Sequence, residues 1–256
     1  MPERNEYAPG TPSWVDLQTS DQNAAKKFYS ELFGWTYNDQ EVPDSGGAVY
    51  SMAQLNGKDV GAIAGMPPGA DGIPPHWNTY ITVSDADATC ALVEKSGGTV
   101  MMPSFDIMDA GRMAVIADPT GALFNIWQAK NHPGAGLVNE PGAWSWNELI
   151  DADLPKAEEF YNEVFGWEAN HLTEGMEYTE FKLNGEPIGG GMRPPMPGIP
   201  NVWGIYFSVA DTDATVAKAK SMGAAVFQEP TDIPPGRFAV LADPQGAMFN
   251  VMKMAR

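Results

Sequence analysis

Ser13-Trp14-Val15-Asp16-Leu17 and Ser145-Trp146-Asn147-Glu148-Leu149 decide the fold, because the second stretch repeats the first. Outward from them the copies stay in step. Asp21 leads to Phe28-Tyr29 and Phe33-Gly34-Trp35, and Asp153 leads to Phe160-Tyr161 and Phe165-Gly166-Trp167. Over residues 13–38 against 145–170, 12 of 26 positions are identical without a gap. Further on, Ala117-Asp118-Pro119-Thr120-Gly121-Ala122 returns as Ala242-Asp243-Pro244-Gln245-Gly246-Ala247. A repeat of this length means two copies of one domain. The expected division is 1–130, a linker over 131–142, and 143–256. The short Gly/Pro-rich run Asn131-His132-Pro133-Gly134-Ala135-Gly136 marks the join.

Within each copy the hydrophobic period alternates between helix and strand. Asp21 reads as an N-cap, followed by Ala24, Ala25, Phe28, Tyr29 and Leu32 at helical spacing up to Gly34. Asp153 begins the same pattern. A second helix opens at Asp85 or Asp87, and its twin at Asp211 or Asp213. Strand patterns cover Trp14–Gln18, Trp35–Asp39, Val49–Leu55, Gly61–Met66, Asn78–Val83, Thr99–Met102, Arg112–Ala117 and Leu123–Gln128. Asn56-Gly57 and Asn184-Gly185 signal tight hairpins. The order strand, helix, three strands occurs four times. This predicts an α+β fold of four βαβββ units, two per domain, each pair building one cupped mixed sheet. Alternation turns Val15, Leu17, Phe124 and Ile126 toward the helices. It leaves Trp14, Asp16, Gln18, Leu123, Asn125 and Trp127 facing the cup.

The chain carries a net charge of −18. That balance argues against nucleic acid and anionic membrane surfaces as partners. Its single cysteine, Cys90, excludes an intramolecular disulfide and reads as a small packed hydrophobe. Residues 1–6 carry no apolar signal region and no apolar run reaches membrane length, so a cytoplasmic location is the default expectation. Secretion without a cleaved signal stays open. The expected partner is a small-molecule ligand, and the chain is expected to be a monomer or a homodimer.

Taken together, Asp21 with Phe28-Tyr29 and Phe33-Gly34-Trp35, Val83-Ser84-Asp85 with Gly97-Gly98, and Asp118-Pro119-Thr120-Gly121-Ala122 resemble the vicinal oxygen chelate superfamily. That group holds glyoxalase I, bleomycin-resistance proteins, fosfomycin-resistance enzymes and extradiol dioxygenases. The chain looks most like its two-repeat actinobacterial glyoxalase-like members. The resemblance implies a divalent ion held by His, Gln or Glu at four cup-facing positions. Here those fall on Trp14, Asn78, Asn125 and, in the strand after Tyr50, Met52. In the second copy they fall on Trp146, Gly204, Asn250 and Glu180. Trp, Met and Gly offer no usable donor and Asn is a weak one, so neither a metal nor another cofactor is expected. His76, His132 and His171 lie in predicted loops and read as solvated surface residues.

The cups are expected to be aromatic instead. Trp14, Asn78, Tyr80, Asn125 and Trp127 in the first copy, and Trp146, Glu180, Tyr206 and Asn250 in the second, form a candidate binding set for a flat, partly apolar molecule. Trp35, Trp77, Trp167 and Trp203 are placed at strand edges or pocket mouths. Met101, Met102, Met113, Met248 and Met252 are candidates for the lining. Asp16 and Glu148, each two residues past a cup tryptophan, are candidate acid/base groups, since desolvation beside indoles raises a carboxyl pKa. Arg112 and Arg237 read as partners of Asp118 and Asp243, or as anchors for an anionic ligand group. The Pro-rich connectors Met66–Trp77 and Met192–Trp203 keep Pro68/Pro194 and Gly72/Gly198 in step. Three functions compete: metal-independent ligand binding or drug sequestration, a glyoxalase-like lyase or isomerase or a hydroxylase-like enzyme using Asp16 or Glu148, and an interaction protein with closed cups. The first leads, with the more open wall expected at Gly204.

Overall fold

The computed structural model describes residues 3–43, 45–67, 69–70, 72–172 and 177–255. Pro68, singled out above, lies outside them. In the first half the elements run β1 (Pro12–Thr19), α1 (Gln22–Phe33), β2 (Thr36–Glu41), β3 (Val49–Leu55), β4 (Lys58–Gly65), β5 (His76–Thr82), α2 (Ala86–Lys95), β6 (Thr99–Ile107), β7 (Gly111–Ala117) and β8 (Leu123–Ala129). In the second they run β9 (Trp144–Ile150), α3 (Leu154–Phe165), β10 (Glu168–Leu172), β11 (Tyr178–Leu183), β12 (Glu186–Met192), β13 (Val202–Ser208), α4 (Thr212–Ser221), β14 (Ala225–Ile233), β15 (Gly236–Ala242) and β16 (Met248–Met254).

Local chemistry sets these bounds. The Asp21 side chain accepts the Ala24 amide at 3.0 Å, and Gly34 takes the left-handed conformation (φ 78°) that ends α1. Asp85 and Asp211 cap α2 and α4 in the same way; losing such a cap costs about 0.5–2 kcal/mol. Asp153 stands at the start of α3 without a capping bond; its amide donates to Asp151 instead. Asn56 and Asn184 both have positive φ ahead of a positive-φ glycine, as a two-residue hairpin requires.

Each half forms one eight-stranded mixed sheet. The orders are β2-β3-β4-β1-β5-β8-β7-β6 and β10-β11-β12-β9-β13-β16-β15-β14. Two four-stranded units fuse through the antiparallel β1–β5 or β9–β13 pair, while β4 and β8 run parallel to the first strand of their units. The helices lie between the two sheets. Phe28 and Tyr29 of α1 meet Phe249 of the second half, and Phe160 and Tyr161 of α3 meet Phe124 of the first. At the centre the sheets touch, where Asn147 Nδ2 donates to Thr79 Oγ1 at 2.7 Å.

This arrangement corrects two expectations. Trp35, Trp77, Trp167 and Trp203 are not at pocket mouths; all are buried in the layer between the sheets. The Trp77 and Trp203 indoles donate to the hydroxyls of Tyr29 and Tyr161, and these donate to Asp243 and Asp118 of the opposite half. The arginines are therefore free to pair elsewhere. Arg112 binds Asp87 and Asp106, and Arg237 binds Asp213 and Asp232, all at the exposed surface.

Candidate functional site

Residues paired across a ladder share a face, so the registers place the cup residues. In the first half one row runs Met52, Ala62, Asp16, Asn78, and the next runs Trp14, Tyr80, Asn125, Val115. In the second half the rows are Glu180, Gly190, Glu148, Gly204 and Trp146, Tyr206, Asn250, Val240. The structure thus brings the candidate set onto the two cup faces, with the indole and carboxylate side by side in each.

In cup one Asp16 is 3% exposed and receives three side-chain donors. Asn78 Nδ2 reaches Oδ1 at 2.9 Å, while the hydroxyls of Tyr80 and Tyr50 reach Oδ2 at 2.8 and 2.9 Å. The Trp14 indole donates to the Tyr50 hydroxyl at 2.9 Å. Burial pushes the Asp16 carboxyl above the usual aspartate range, against the pull of Asn78, Tyr80 and Tyr50. Burial beside that charge also drives both phenols well above their ordinary value.

Cup one is closed by its own chain. The Trp127 ring lies so tightly on Gly111 that a Cβ there would sit 2.3 Å from it. Trp127 Nε1 donates to the His132 carbonyl at 2.8 Å, and the His132 imidazole meets the Trp14 indole edge-on at 4.5 Å between ring centroids. His132 is therefore packed against the cup floor rather than solvated, which corrects the loop-based expectation. Its burial lowers its pKa, with Asp59 opposing. The linker is held there by Ala135 donating to the Ser13 carbonyl and Gly136 to the Asp59 carbonyl.

Cup two keeps the network but not the closure. Tyr206 donates to Glu148 Oε2 at 2.8 Å, and the Trp146 indole donates to the Tyr178 hydroxyl at 2.9 Å. Burial raises the Glu148 carboxyl, opposed by Tyr206 and then Tyr178. Two substitutions between the copies remove bulk: Gly204 stands for Asn78 and Met252 for Trp127. Gly190 also stands for Ala62, but the Tyr178 ring takes that space, its hydroxyl 1.9 Å from where a Cβ would sit. Trp146 and Asn250 are half-buried, where Trp14 and Asn125 are only 4% exposed. Among the described residues neither Trp146, Tyr178 nor Tyr206 pairs with another ring, whereas Trp14, Tyr80, Trp127 and His132 form one cluster. The far wall of cup two carries half-buried Phe238, Val240 and Met252, rimmed by exposed Met248. Of the other methionines, Met113 is half-buried on the facing wall of cup one, and Met101 and Met102 are exposed on its edge strand β6.

The register also revises the fourth metal-type position. Asn125 pairs with Tyr80, two residues past Asn78. The matching place two residues past Trp14 is Asp16, whose β4 partner is Ala62, and in the second half Glu148 pairs with Gly190. Met52 and Glu180 lie one strand further out. Glu180 is engaged there by Lys182 at 3.2 Å and Asn170 at 3.2 Å. The four positions are thus Trp14, Ala62, Asn78 and Asn125, or Trp146, Gly190, Gly204 and Asn250. Neither set fits the divalent ion that the resemblance implies, since asparagine is the strongest donor in it. Asn250 moreover turns its amide N–H to the Ile205 carbonyl. Among the described residues no three His, Cys, Asp or Glu side chains converge on a metal-sized site.

The family model described as Glyoxalase/Bleomycin resistance protein/Dioxygenase superfamily matches residues 11–126 and again 145–251. The chain belongs to this superfamily. CFP32 of Mycobacterium tuberculosis, whose name calls it a glyoxylase, is 57% identical over 100% of this chain and 99% of its own. The anthracycline biosynthesis protein DauV of Streptomyces sp. is 37% identical over 97% of this chain and 94% of its own. Among solved structures, the Mn(II)-bound glyoxalase of Novosphingobium aromaticivorans matches with a TM-score of 0.66 at 15% identity, over 96% of this chain and 82% of that one. The 2,3-dioxygenase LapB of Pseudomonas sp. KL28 matches with a TM-score of 0.64 at 15% identity, over 98% and 94%. At such identity these two neighbours speak for the fold alone. Among the described residues no helix is long and apolar enough to cross a membrane.

Proposed function

We propose that the protein binds a flat, partly aromatic small molecule in cup two without a metal ion, and that cup one serves as a closed structural copy. The observation that carries this reading is the pair of buried carboxylates. Asp16 accepts three side-chain donors, and Trp127 and His132 pack on the Tyr80 and Trp14 rings beside it, while Glu148 faces Gly204 and the wall where Met252 replaces Trp127. An apolar wall with a few converging polar groups is the usual make-up of a small-molecule site. The 37% identity to an anthracycline biosynthesis protein supports a polycyclic ligand.

Isothermal titration calorimetry with 2-naphthol and with an anthracycline tests the reading. Binding that survives Trp14→Phe and is weakened by Trp146→Phe is the expected result, with the ligand recovered unchanged. A raised carboxyl pKa beside the half-buried Trp146 and Asn250 also favours a second reading, in which Glu148 exchanges protons with a bound substrate. That reading expects a chemically altered product by mass spectrometry, lost in Glu148→Gln and kept in Asp16→Asn.

A further inference from the structure

The two cups differ in the donors around the carboxylate. Asp16 accepts from Tyr50, Tyr80 and Asn78, with Asn78 supplying Oδ1. Glu148 accepts from Tyr206 on Oε2, with the Tyr178 hydroxyl alongside. The residue across the strand from Glu148 is Gly204, which brings no side-chain donor. Among the described residues no group donates to Oε1. The nearby amide of Asn250 is committed to the Ile205 carbonyl at 3.1 Å.

We propose that the ligand of cup two is a flat, neutral ring carrying a phenolic or enolic hydroxyl, and that this O–H donates to Glu148 Oε1 where Asn78 donates to Asp16 in the twin. The proposal rests on the placement of the ligand in cup two. Three features select a neutral donor. The groups that act on Glu148 are two phenols and no cation. The adjoining wall of Phe238, Val240, Met252 and Met248 gives nothing in return for the hydration an ammonium group would lose. Lys182, the neighbouring cation, is already engaged by Glu180. An anionic group would meet Glu148, Glu180 and a chain of net charge −18. Once a ligand covers Oε1, an acceptor left without a donor discriminates strongly against a ligand that lacks one.

Calorimetric titration of the full chain with 2-naphthol and 2-methoxynaphthalene tests this, because O-methylation removes the donor and keeps the ring and its oxygen. The wild type is expected to bind 2-naphthol about tenfold tighter. Gly204→Asn, which offers Glu148 the internal donor of cup one, brings the two affinities together. Gly204→Ala adds the same Cβ, which meets only Asn250 Nδ2 at 3.3 Å and the Glu148 carbonyl at 3.7 Å, and keeps the preference. Glu148→Gln, with a weaker neutral acceptor, shrinks the preference without adding bulk. Equal affinities in the wild type overturn the donor assignment and leave the ligand site standing. Tighter binding of 2-(aminomethyl)naphthalene than of 2-naphthol overturns the neutral class. Binding of none of the probes overturns the ligand site as well.

Discussion

Trp14 and Trp146 occupy the same place in the two cups, and each donates its indole N–H to a tyrosine that faces a buried carboxylate. Trp14 is packed against His132, which also meets Trp127; Trp146 is half-buried and pairs with no other ring among the described residues. On the opposite face, common to both halves, the Trp–Tyr–Asp relays join the two sheets. The two cups thus differ in packing: the Trp14 cup is filled by rings of its own chain, while Trp146 and Asn250 stay half-buried.

The contrast breaks first at the indoles. Trp14→Ala empties a packed aromatic cluster and is expected to cost about 3–5 kcal/mol in urea unfolding. Trp146→Ala costs clearly less and acts on ligand affinity instead. Equal losses of stability would mean that cup two is as full as cup one. Next come the relays. Tyr29→Phe and Tyr161→Phe each strand a buried indole N–H and a buried aspartate, for about 1–3 kcal/mol apiece. The two values should be similar, since the relays are common to both halves.

The carboxylates give a smaller, pH-dependent difference. Burial raises both Asp16 and Glu148 above their ordinary ranges. The folded state therefore holds these protons more tightly than the unfolded chain. Their contribution is full below the unfolded carboxyl range and is lost as pH rises through the raised folded values. Relative to Asp16→Asn, the wild type should lose stability over that rise, measured as urea midpoints from acid to neutral pH. A difference that stays flat with pH would contradict the burial account. Least of all, Arg112→Gln or Arg237→Gln should move the midpoint slightly at low salt and not at high salt, because their ion pairs are exposed.

Much of this was legible in the residues. The doubled Ser-Trp motif, the capping Asp21, Asp85 and Asp211, and the alternation in β1 and β8 predict four units and two cup faces. Alternation says which residues share a face but not what covers it. For that reason the sequence places Trp35, Trp77, Trp167 and Trp203 at strand edges or pocket mouths, and only the packing of the two sheets shows them as the seal between them. The same limit applies to the fourth metal-type position. β3 and β4 both alternate on either side of Asn56-Gly57, and only the parallel pairing of β4 with β1 places Ala62 rather than Met52 opposite Asp16. His132 belongs to a linker with no period of its own, so its packing on Trp14 depends wholly on tertiary contacts.

Calorimetric stoichiometry in a pair of exchange variants tests the central claim most directly. Met252→Trp gives cup two the ring that closes cup one, and Trp127→Met removes that ring from its own side. With 2-naphthol as the probe, the account predicts one ligand per wild-type chain, lost in Met252→Trp and retained in Trp127→Met. Two ligands per wild-type chain, or undiminished binding in Met252→Trp, would contradict it.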